Sequence, residues 1–132
     1  MKRDEIEAFF SQDAYAKACG ITIDEVEEGR AVCSFTIAPH HLNGRGTVQG
    51  GAIFTLADFA FAVAAHAKGY MAVSLENQIA YMHASRGKKL IATAYEVSDT
   101  KKVCFYQVDV TDDLGKAIAR MSVTGYKIEE KA

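Results

Sequence analysis

Residues 50–67 read GGAIFTLADFAFAVAAHA, and the fold expected for the chain depends on this segment. Two glycines open it, apolar residues fill most of it, and Lys68-Gly69 follows as a helix stop. No helical phase of this stretch has a broad polar face, so it predicts a long helix surrounded by protein. The stretch is short for a membrane span and is interrupted by Asp58. Both features favour a helix in the interior of a globular protein over a membrane-spanning helix.

Asp58 is the one acidic residue of this predicted helix. Burial of an isolated ionised carboxylate is very costly, so Asp58 must be paired, protonated or used in chemistry. One interpretation is structural, with Asp58 hydrogen-bonded to nearby backbone or to Thr55, three residues earlier. The other is functional, with the carboxylate in a reactive site.

The pattern of polar and apolar residues predicts a helical segment, two strands and a loop before this helix. Residues 4–19 mix charges with apolar side chains and end before Gly20, which predicts a short amphipathic helical lead-in. Residues 21–28 and 31–37 predict two antiparallel strands joined near Glu28-Gly29. Pro39 ends the second strand, and turn-favouring residues in 40–46 predict an irregular loop.

Four more strands are predicted after the helix, at Tyr70 to Met82, Leu90 to Val97, Val103 to Thr111, and Lys116 to Ile128. Their connections are too short for parallel crossovers, so the sheet should be antiparallel. Two of these strands should each have one apolar face. The face of the first strand carries Val73, Leu75, Ile79 and Tyr81, and the face of the third carries Cys104, Tyr106, Val108 and Val110. One central helix can cover such a sheet.

Composition favours one soluble globular domain that spans residues 1–132, with 49% hydrophobic residues and a net charge of −2. This charge favours neither nucleic acid nor an acidic membrane as a partner. The first residues, Met1 to Glu5, are charged and do not resemble a secretory signal, so the expected location is cytoplasmic.

Cysteine and histidine spacing gives no reason to expect a disulfide framework or a metal site. The cysteines are Cys19, Cys33 and Cys104, and the last two lie in strand-like runs that predict core filling. His40, His41, His66 and His83 lack convincing ligand spacing. His66 is expected to pack in the core or to interact with the helix C-terminus.

The residues around the start of the long helix resemble a known signature. His41-Leu42-Asn43-Gly44, followed by QGGAIFTLADFAFA at residues 49–62, is similar to the signature of PaaI-like acyl-CoA thioesterases. The resemblance covers nearly the whole chain. It implies an α+β hot-dog fold, in which an antiparallel sheet wraps around one long central helix and a short helical segment lies at the N-terminus.

This resemblance implies hydrolysis of acyl-CoA thioesters, with Asp58 as general base or nucleophile. The backbone amides of Gly50 and Gly51 would polarise the thioester carbonyl, although the same glycines could serve only as a tight entry turn. Asn43 would orient the reacting groups, or it could be a left-handed turn residue before Gly44.

Two further positions are expected to assist. Gln49 stands where the family usually has a His before the two glycines, so the site is interpreted as modified. Ser74 lies near a strand position where some relatives carry a hydroxyl, and a cross-strand packing role is an equal alternative. In relatives the amides and the acidic residue come from different subunits, so the resemblance implies a homodimer or a dimer-of-dimers tetramer.

Coenzyme A is expected as part of the substrate and not as a retained cofactor. Basic residues in or beside the predicted turns could meet its phosphates or could form a solvated rim, namely Arg86, Lys88, Lys89, Lys101 and Lys102. Two alternative functions remain. One is a non-catalytic acyl-CoA binding or sensing protein, and the other is a hot-dog dehydratase that pairs His40 or His41 with Asp58.

Overall fold

A long helix packed on one face of a six-stranded sheet organises the chain. The computed structural model describes residues 2–128, with helices α1 (Arg3–Phe10), α2 (Ala14–Ala18) and α3 (Gly50–Ala67). The strands are β1 (Thr22–Glu27), β2 (Arg30–Thr36), β3 (Met71–Tyr81), β4 (Lys89–Asp99), β5 (Val103–Asp112) and β6 (Ala117–Ile128). They lie in the order β1-β2-β4-β5-β6-β3, and all neighbours are antiparallel. The predicted hot-dog architecture is confirmed.

Helix α3 is the centre of the core. Most of its residues are buried, and it packs against the sheet chiefly through β2 and β4. Within the described part of the chain, α3 alone is long and apolar enough to cross a membrane by length and composition. Such helices also occur in the cores of globular proteins, and most of α3 is buried inside this one.

The predicted helical lead-in at the N-terminus is confirmed, and it consists of two short helices. Helix α1 ends at Phe10, and α2 begins after Asp13. The Asp13 carboxylate accepts a hydrogen bond from the Ala16 N–H at 3.0 Å. Aspartate is a preferred N-cap residue, so Asp13 starts a new helix instead of continuing the first.

Strand β5 follows the predicted alternation. Its inward side chains are at most 2% exposed, and these are Cys104, Tyr106, Val108 and Val110. The outward residues between them are more accessible to solvent. Because β5 has neighbours on both sides, a period of two is enough to place its core face.

Strand β3 departs from its predicted pattern. It forms one edge of the sheet, and its pairing with β6 shifts register between Ser74 and Glu76, which marks a β-bulge or similar irregularity. Val73 and Leu75 are 45% and 61% exposed, while Ile79 packs against the core. The prediction of one shared apolar face is therefore wrong, because the irregularity changes the alternation partway along the strand.

The cysteines and His66 have packing roles. All three cysteines are free, and Cys33 and Cys104 are buried in the core as predicted. His66 lies at the end of α3, where its ring stacks on Phe9 and meets Phe10 edge-on. The prediction of a packed His66 is confirmed, and the contact ties α1 to the central helix.

Candidate active site

Asp58 lies two turns into α3 and faces β3. Its Oδ1 accepts a hydrogen bond from the Ser74 hydroxyl at 3.1 Å and from the Asn77 amide at 3.4 Å. Thr55 instead donates its hydroxyl to the Gly51 carbonyl at 2.8 Å. The predicted Asp58–Thr55 bond is therefore wrong, because the Thr55 hydroxyl turns back along its own helix. The structure brings Ser74 to Asp58.

Burial raises the pKa of the Asp58 carboxyl above its usual value. The hydrogen bonds from Ser74 and Asn77 act in the opposite direction because they favour the ionised form, and the charge of Asp13 adds to the rise. The net effect is a raised pKa. A carboxylate with a raised pKa is a stronger base, which suits proton abstraction from water.

The two oxygens of Asp58 have different surroundings. Oδ1 takes both side-chain donors, whereas Oδ2 accepts no side-chain hydrogen bond from residues 2–128. Oδ2 is also absent from the buried side-chain atoms that lack a partner in this part of the chain, so it reaches solvent. The carboxylate is thus held by one oxygen and presents the other.

The start of α3 presents free backbone donors. Gln49 is the N-cap residue, and its side chain makes no capping hydrogen bond. The first amides bonded to the Gln49 carbonyl are those of Ala52 and Ile53, and within residues 2–128 the N–H groups of Gly50 and Gly51 have no backbone partner. Free N–H groups at a helix start favour negative charge, so these amides can stabilise an oxyanion.

Close packing explains why glycines occupy this position. A Cβ atom on Gly50 would lie 3.3 Å from the Tyr81 ring, and one on Gly51 would lie 2.8 Å from the Gln49 side-chain oxygen. The Tyr81 hydroxyl also donates to the Gly50 carbonyl at 3.1 Å. A side chain at Gly50 would require the Tyr81 ring to shift by a few tenths of an ångström, whereas one at Gly51 would displace only the end of the flexible Gln49 side chain.

Asn43 organises the loop that precedes α3. Its Oδ1 accepts from the amides of Arg45 and Thr47 at 2.9 and 3.2 Å, and its Nδ2 donates to the Thr47 hydroxyl at 3.0 Å. Among the described residues, positive φ angles occur only at glycines, here at Gly46. The left-handed interpretation of Asn43 is wrong, because its side chain closes the loop by hydrogen bonds.

The candidate groups of one chain are too far apart to act on the same atom. Gly50 and Asp58 are eight positions apart on α3. At a rise of 1.5 Å per residue, this separates them by about 12 Å along the helix axis. A thioester carbon and its oxyanion lie within a few ångströms of each other. The Asp58 carboxylate and the Gly50 and Gly51 amides of one chain therefore cannot act together on one thioester carbonyl.

A surface pocket of about 260 Å³ adjoins the start of α3. Gly50 and Ile53 line it on the helix side, and Tyr81 to Ser85 line it on the side of β3 and the following loop. Arg86 and Lys88 come next in that loop and are exposed. This end of the sheet thus combines free amides, a pocket and cations.

The predicted phosphate contacts do not form one cluster. Arg86, Lys88 and Lys89 lie at the start of β4, and Lys101 and Lys102 follow its other end. The 11 residues of β4 separate these ends by roughly 33 Å. All five side chains are exposed, and within residues 2–128 none forms an ion pair.

His41, one of the two histidines that the dehydratase alternative could use, is occupied elsewhere. His41 is buried, its Nδ1 accepts from the Ala38 amide at 2.9 Å, and its Nε2 lies 2.7 Å from the Cys19 carbonyl. Because Nδ1 accepts, Nε2 carries the proton and donates it to that carbonyl. Both nitrogens of His41 are therefore engaged in holding the loop. Residues 2–128 bring no three metal-ligating His, Cys, Asp or Glu side chains together.

Sequence reasoning missed three neighbours of the candidate groups. Asn77 donates to Asp58, Tyr81 packs on Gly50, and the charge of Asp13 acts on Asp58. A strict period of two places Asn77 and Ser74 on opposite faces of β3. The one available signal was a lone Asn in a strand whose neighbours predict a buried face.

Known proteins resemble this chain over most of its length. The family model "Domain of unknown function (DUF4442)" matches residues 4–126. The acyl-coenzyme A thioesterase PaaI of Escherichia coli K12 is 34% identical over 122 residues, which cover 92% of this chain and 87% of that protein. Human acyl-coenzyme A thioesterase 13 is 29% identical over 123 residues, covering 89% and 88%.

Solved structures are also similar to this chain. The E. coli PaaI protein from the phenylacetic acid degradation operon has a TM-score of 0.91 and 31% identity over 97% of this chain and 94% of that chain. A hypothetical thioesterase protein with coenzyme A from Streptococcus pneumoniae shares the fold, with a TM-score of 0.87 at 23% identity over 96% and 99%. Fold and site define a hot-dog protein with an acidic residue on its central helix. The chain belongs to the PaaI-like thioesterase family.

Proposed function

We propose that this protein hydrolyses acyl-CoA thioesters to a free acid and coenzyme A. The observation that carries the proposal is the combination of Asp58, held through one oxygen and open at the other, with free amides at the start of the same helix. The names of the E. coli and human relatives support the same chemistry. Acyl-CoA is the expected substrate, and coenzyme A leaves as product.

In the proposed reaction, Asp58 Oδ2 takes a proton from a water molecule while the water oxygen attacks the thioester carbon. The carbonyl oxygen becomes an oxyanion, which the Gly50 and Gly51 amides stabilise at the helix start. The C–S bond then breaks, the carbonyl reforms, and the thiolate takes up a proton. Direct attack by Asp58 would instead form a mixed anhydride that water hydrolyses.

The proposal includes a homodimer, because about 12 Å separate Gly50 from Asp58 along α3. Strand β3 supports this arrangement, since it is an edge strand with exposed Val73 and Leu75. Unpaired edge strands readily pair with another chain. A second copy of this chain can supply the missing half of each site.

Antiparallel pairing of two β3 strands would also bring the correct halves together. Gly50 is bonded to Tyr81 near the end of β3, whereas Asp58 is bonded to Ser74 near its beginning. Antiparallel pairing sets the end of one strand against the beginning of the other. The amides of one subunit would then approach Asp58 of the other, with Asn43 and Gln49 beside the amides.

The test is an assay of free-thiol release from a panel of short, long and aromatic acyl-CoAs. Turnover of at least one of them, with saturation kinetics, is the expected result. Saturable binding without turnover across the panel would contradict hydrolysis and favour the acyl-CoA binding or sensing alternative. Arg86, Lys88, Lys101 and Lys102 are the proposed contacts for coenzyme A phosphates, and the assay in rising salt tests their contribution.

A further inference from the structure

Asn77 shares the face of β3 on which Ser74 meets Asp58. In a regular strand, residues three positions apart point to opposite faces. The register shift between Ser74 and Glu76 changes this phase, so that both side chains reach the same carboxylate oxygen. The irregularity in β3 is therefore what places a second donor on Asp58.

This placement leaves Asn77 with an unsatisfied oxygen. Its Oδ1 is buried and has no hydrogen-bond partner among residues 2–128. A buried acceptor without a partner lowers folding stability. Exchanging the amide oxygen and nitrogen gives no relief, because the oxygen would then face Asp58 Oδ1 at 3.4 Å, acceptor against acceptor.

An apolar side chain would satisfy this position better if packing alone mattered. Val123 of β6, the register neighbour of Asn77, is buried, and Ile79 two residues on packs against the core. An apolar side chain at this position would leave no unpaired acceptor of its own in the interior. The bond to Asp58 is the one side-chain hydrogen bond of Asn77 in the described residues.

We propose that Asn77 is a positioning residue for the Asp58 base, which together with Ser74 fixes Oδ1 so that Oδ2 points to the reacting water. The inference rests on the proposed role of Asp58. Two donors on one oxygen restrict rotation of the carboxylate about its last bond. They also favour its ionised form, which is the form that accepts a proton.

The experiment compares the pH dependence of kcat/KM for the wild type and Asn77→Leu, with thermal unfolding measured on both. Loss of the amide donor should lower kcat/KM by about three- to tenfold, the effect of one modest hydrogen bond. The acid limb of the profile should move to higher pH, because the ionised form of Asp58 loses support. The charged group that faces Asp58 from α2, Asp13, is unchanged in this variant.

Gln107→Leu is the matched control. Gln107 lies on β5, which is not the proposed dimer edge, is half-buried like Asn77, and is not part of the Asp58 contacts. It should leave both the rate and the acid limb of the wild type unchanged. Asn77→Ala is a smaller second variant, which should move the acid limb in the same direction as Asn77→Leu.

A purely structural role would give a different result. A loss of rate that parallels a loss of thermal stability, with an unmoved acid limb in both Asn77 variants, would overturn the proposal. Wild-type rate and pH profile in either folded variant would overturn it as well.

Asp58→Asn separates this inference from the proposed function. If Asp58→Asn keeps full activity, the proposed function is wrong. If Asp58→Asn is inactive and the Asn77 variants behave as wild type, only the positioning role is wrong. In the Asp58→Asn background, Asn77→Leu should cause no further loss, whereas an independent additional loss would contradict action through Asp58.

Discussion

Strands β5 and β3 lie on either side of β6 and are built differently. Strand β5 has neighbours on both sides, alternates regularly, and buries each inward side chain between Cys104 and Val110. Strand β3 has one neighbour, shifts register after Ser74, exposes Val73 and Leu75, and carries both donors to Asp58. Regular alternation thus serves the core, and the departure from it serves the candidate site.

The difference has a physical reason. A strand that only fills the core is best served by one uninterrupted apolar face. A strand that must hold a carboxylate needs polar side chains on the inner face, and the change of phase adds Asn77 to Ser74 on that face. Local departures from the pattern are expected where function imposes a second requirement.

The largest expected effect concerns the group that β3 holds. Asp58→Asn should reduce kcat by roughly two to four orders of magnitude, the range for loss of a general base, with the fold preserved. Free-thiol release and circular dichroism measure the two properties. Asp109→Asn on β5 is the matched control, because Asp109 bonds Tyr95 and Arg120 away from the candidate site and should retain activity. Near-wild-type turnover by Asp58→Asn would refute its role as base.

A second comparison tests the packing difference between the two strands. Val108→Ala on β5 removes two fully buried methyl groups and should lower the free energy of unfolding by about 2–3 kcal/mol. Val73→Ala on β3, where the side chain is 45% exposed, should cost less than about 1 kcal/mol. Urea unfolding of both variants at one protein concentration gives the two values. Equal losses would show that β3 contributes to the core as much as β5 does.

The sequence predicted β5 well and β3 only in part, for one reason. Alternation reports which residues share a face only while the backbone stays regular. The bounds of β3 were predicted to within a residue, but a register shift leaves no residue-type signal, so Val73 and Leu75 were placed with Ile79. Asn77 was missed for the same reason.

The candidate site was likewise predicted from the sequence only in part. Asp58 stood out because a charge in an apolar helix needs an explanation. The paired glycines stood out because they belong to the motif that resembles PaaI-like thioesterases and let an acyl group approach the backbone. The loop around Asn43 was predicted, but the placement of the Asn43 side chain was not, because it also depends on the hydrogen bond from the Thr47 amide, four residues on. The separation of Asp58 from Gly50 follows from their spacing of eight positions along α3, which matches the helix predicted over residues 50–67.

Substitution of Leu75 tests whether the exposed edge of β3 forms the dimer contact, as proposed. Leu75→Glu places a charge on that edge and should weaken self-association by about tenfold or more, with activity falling as the dimer dissociates. Leu114→Glu is the matched control, since Leu114 is 70% exposed in the turn after β5 and should leave association unchanged. Analytical ultracentrifugation over a concentration series measures both. A fully active monomeric variant would contradict a shared site.

The electrostatics of Asp58 predict a smaller effect with a definite sign. Burial raises the pKa of Asp58 in the folded state, so ionisation lowers stability as pH rises through that folded pKa. Asp58→Asn should therefore raise the unfolding midpoint at neutral pH and have little effect below the usual carboxyl value of 3.8. Differential scanning calorimetry across this pH range checks the sign. A lower midpoint at neutral pH would show that Asp58 stabilises the fold as an ion.

The smallest expected effect concerns the cations at the two ends of the sheet. Arg86 and Lys88 lie beside the pocket at the start of α3, whereas Lys101 and Lys102 lie at the far end of β4. Each Gln substitution at Arg86 or Lys88 should raise KM for acyl-CoA about two- to fivefold with kcat unchanged, because exposed ion pairs contribute about 0.2–1 kcal/mol. In a dimer with antiparallel β3 strands, Lys101 and Lys102 of one subunit come close to Arg86 and Lys88 of the other only if the two β3 strands pair along most of their length. Equal KM increases from both pairs would therefore indicate a site that spans both ends, whereas an effect of Arg86 and Lys88 alone would place the phosphates on the subunit that supplies the amides.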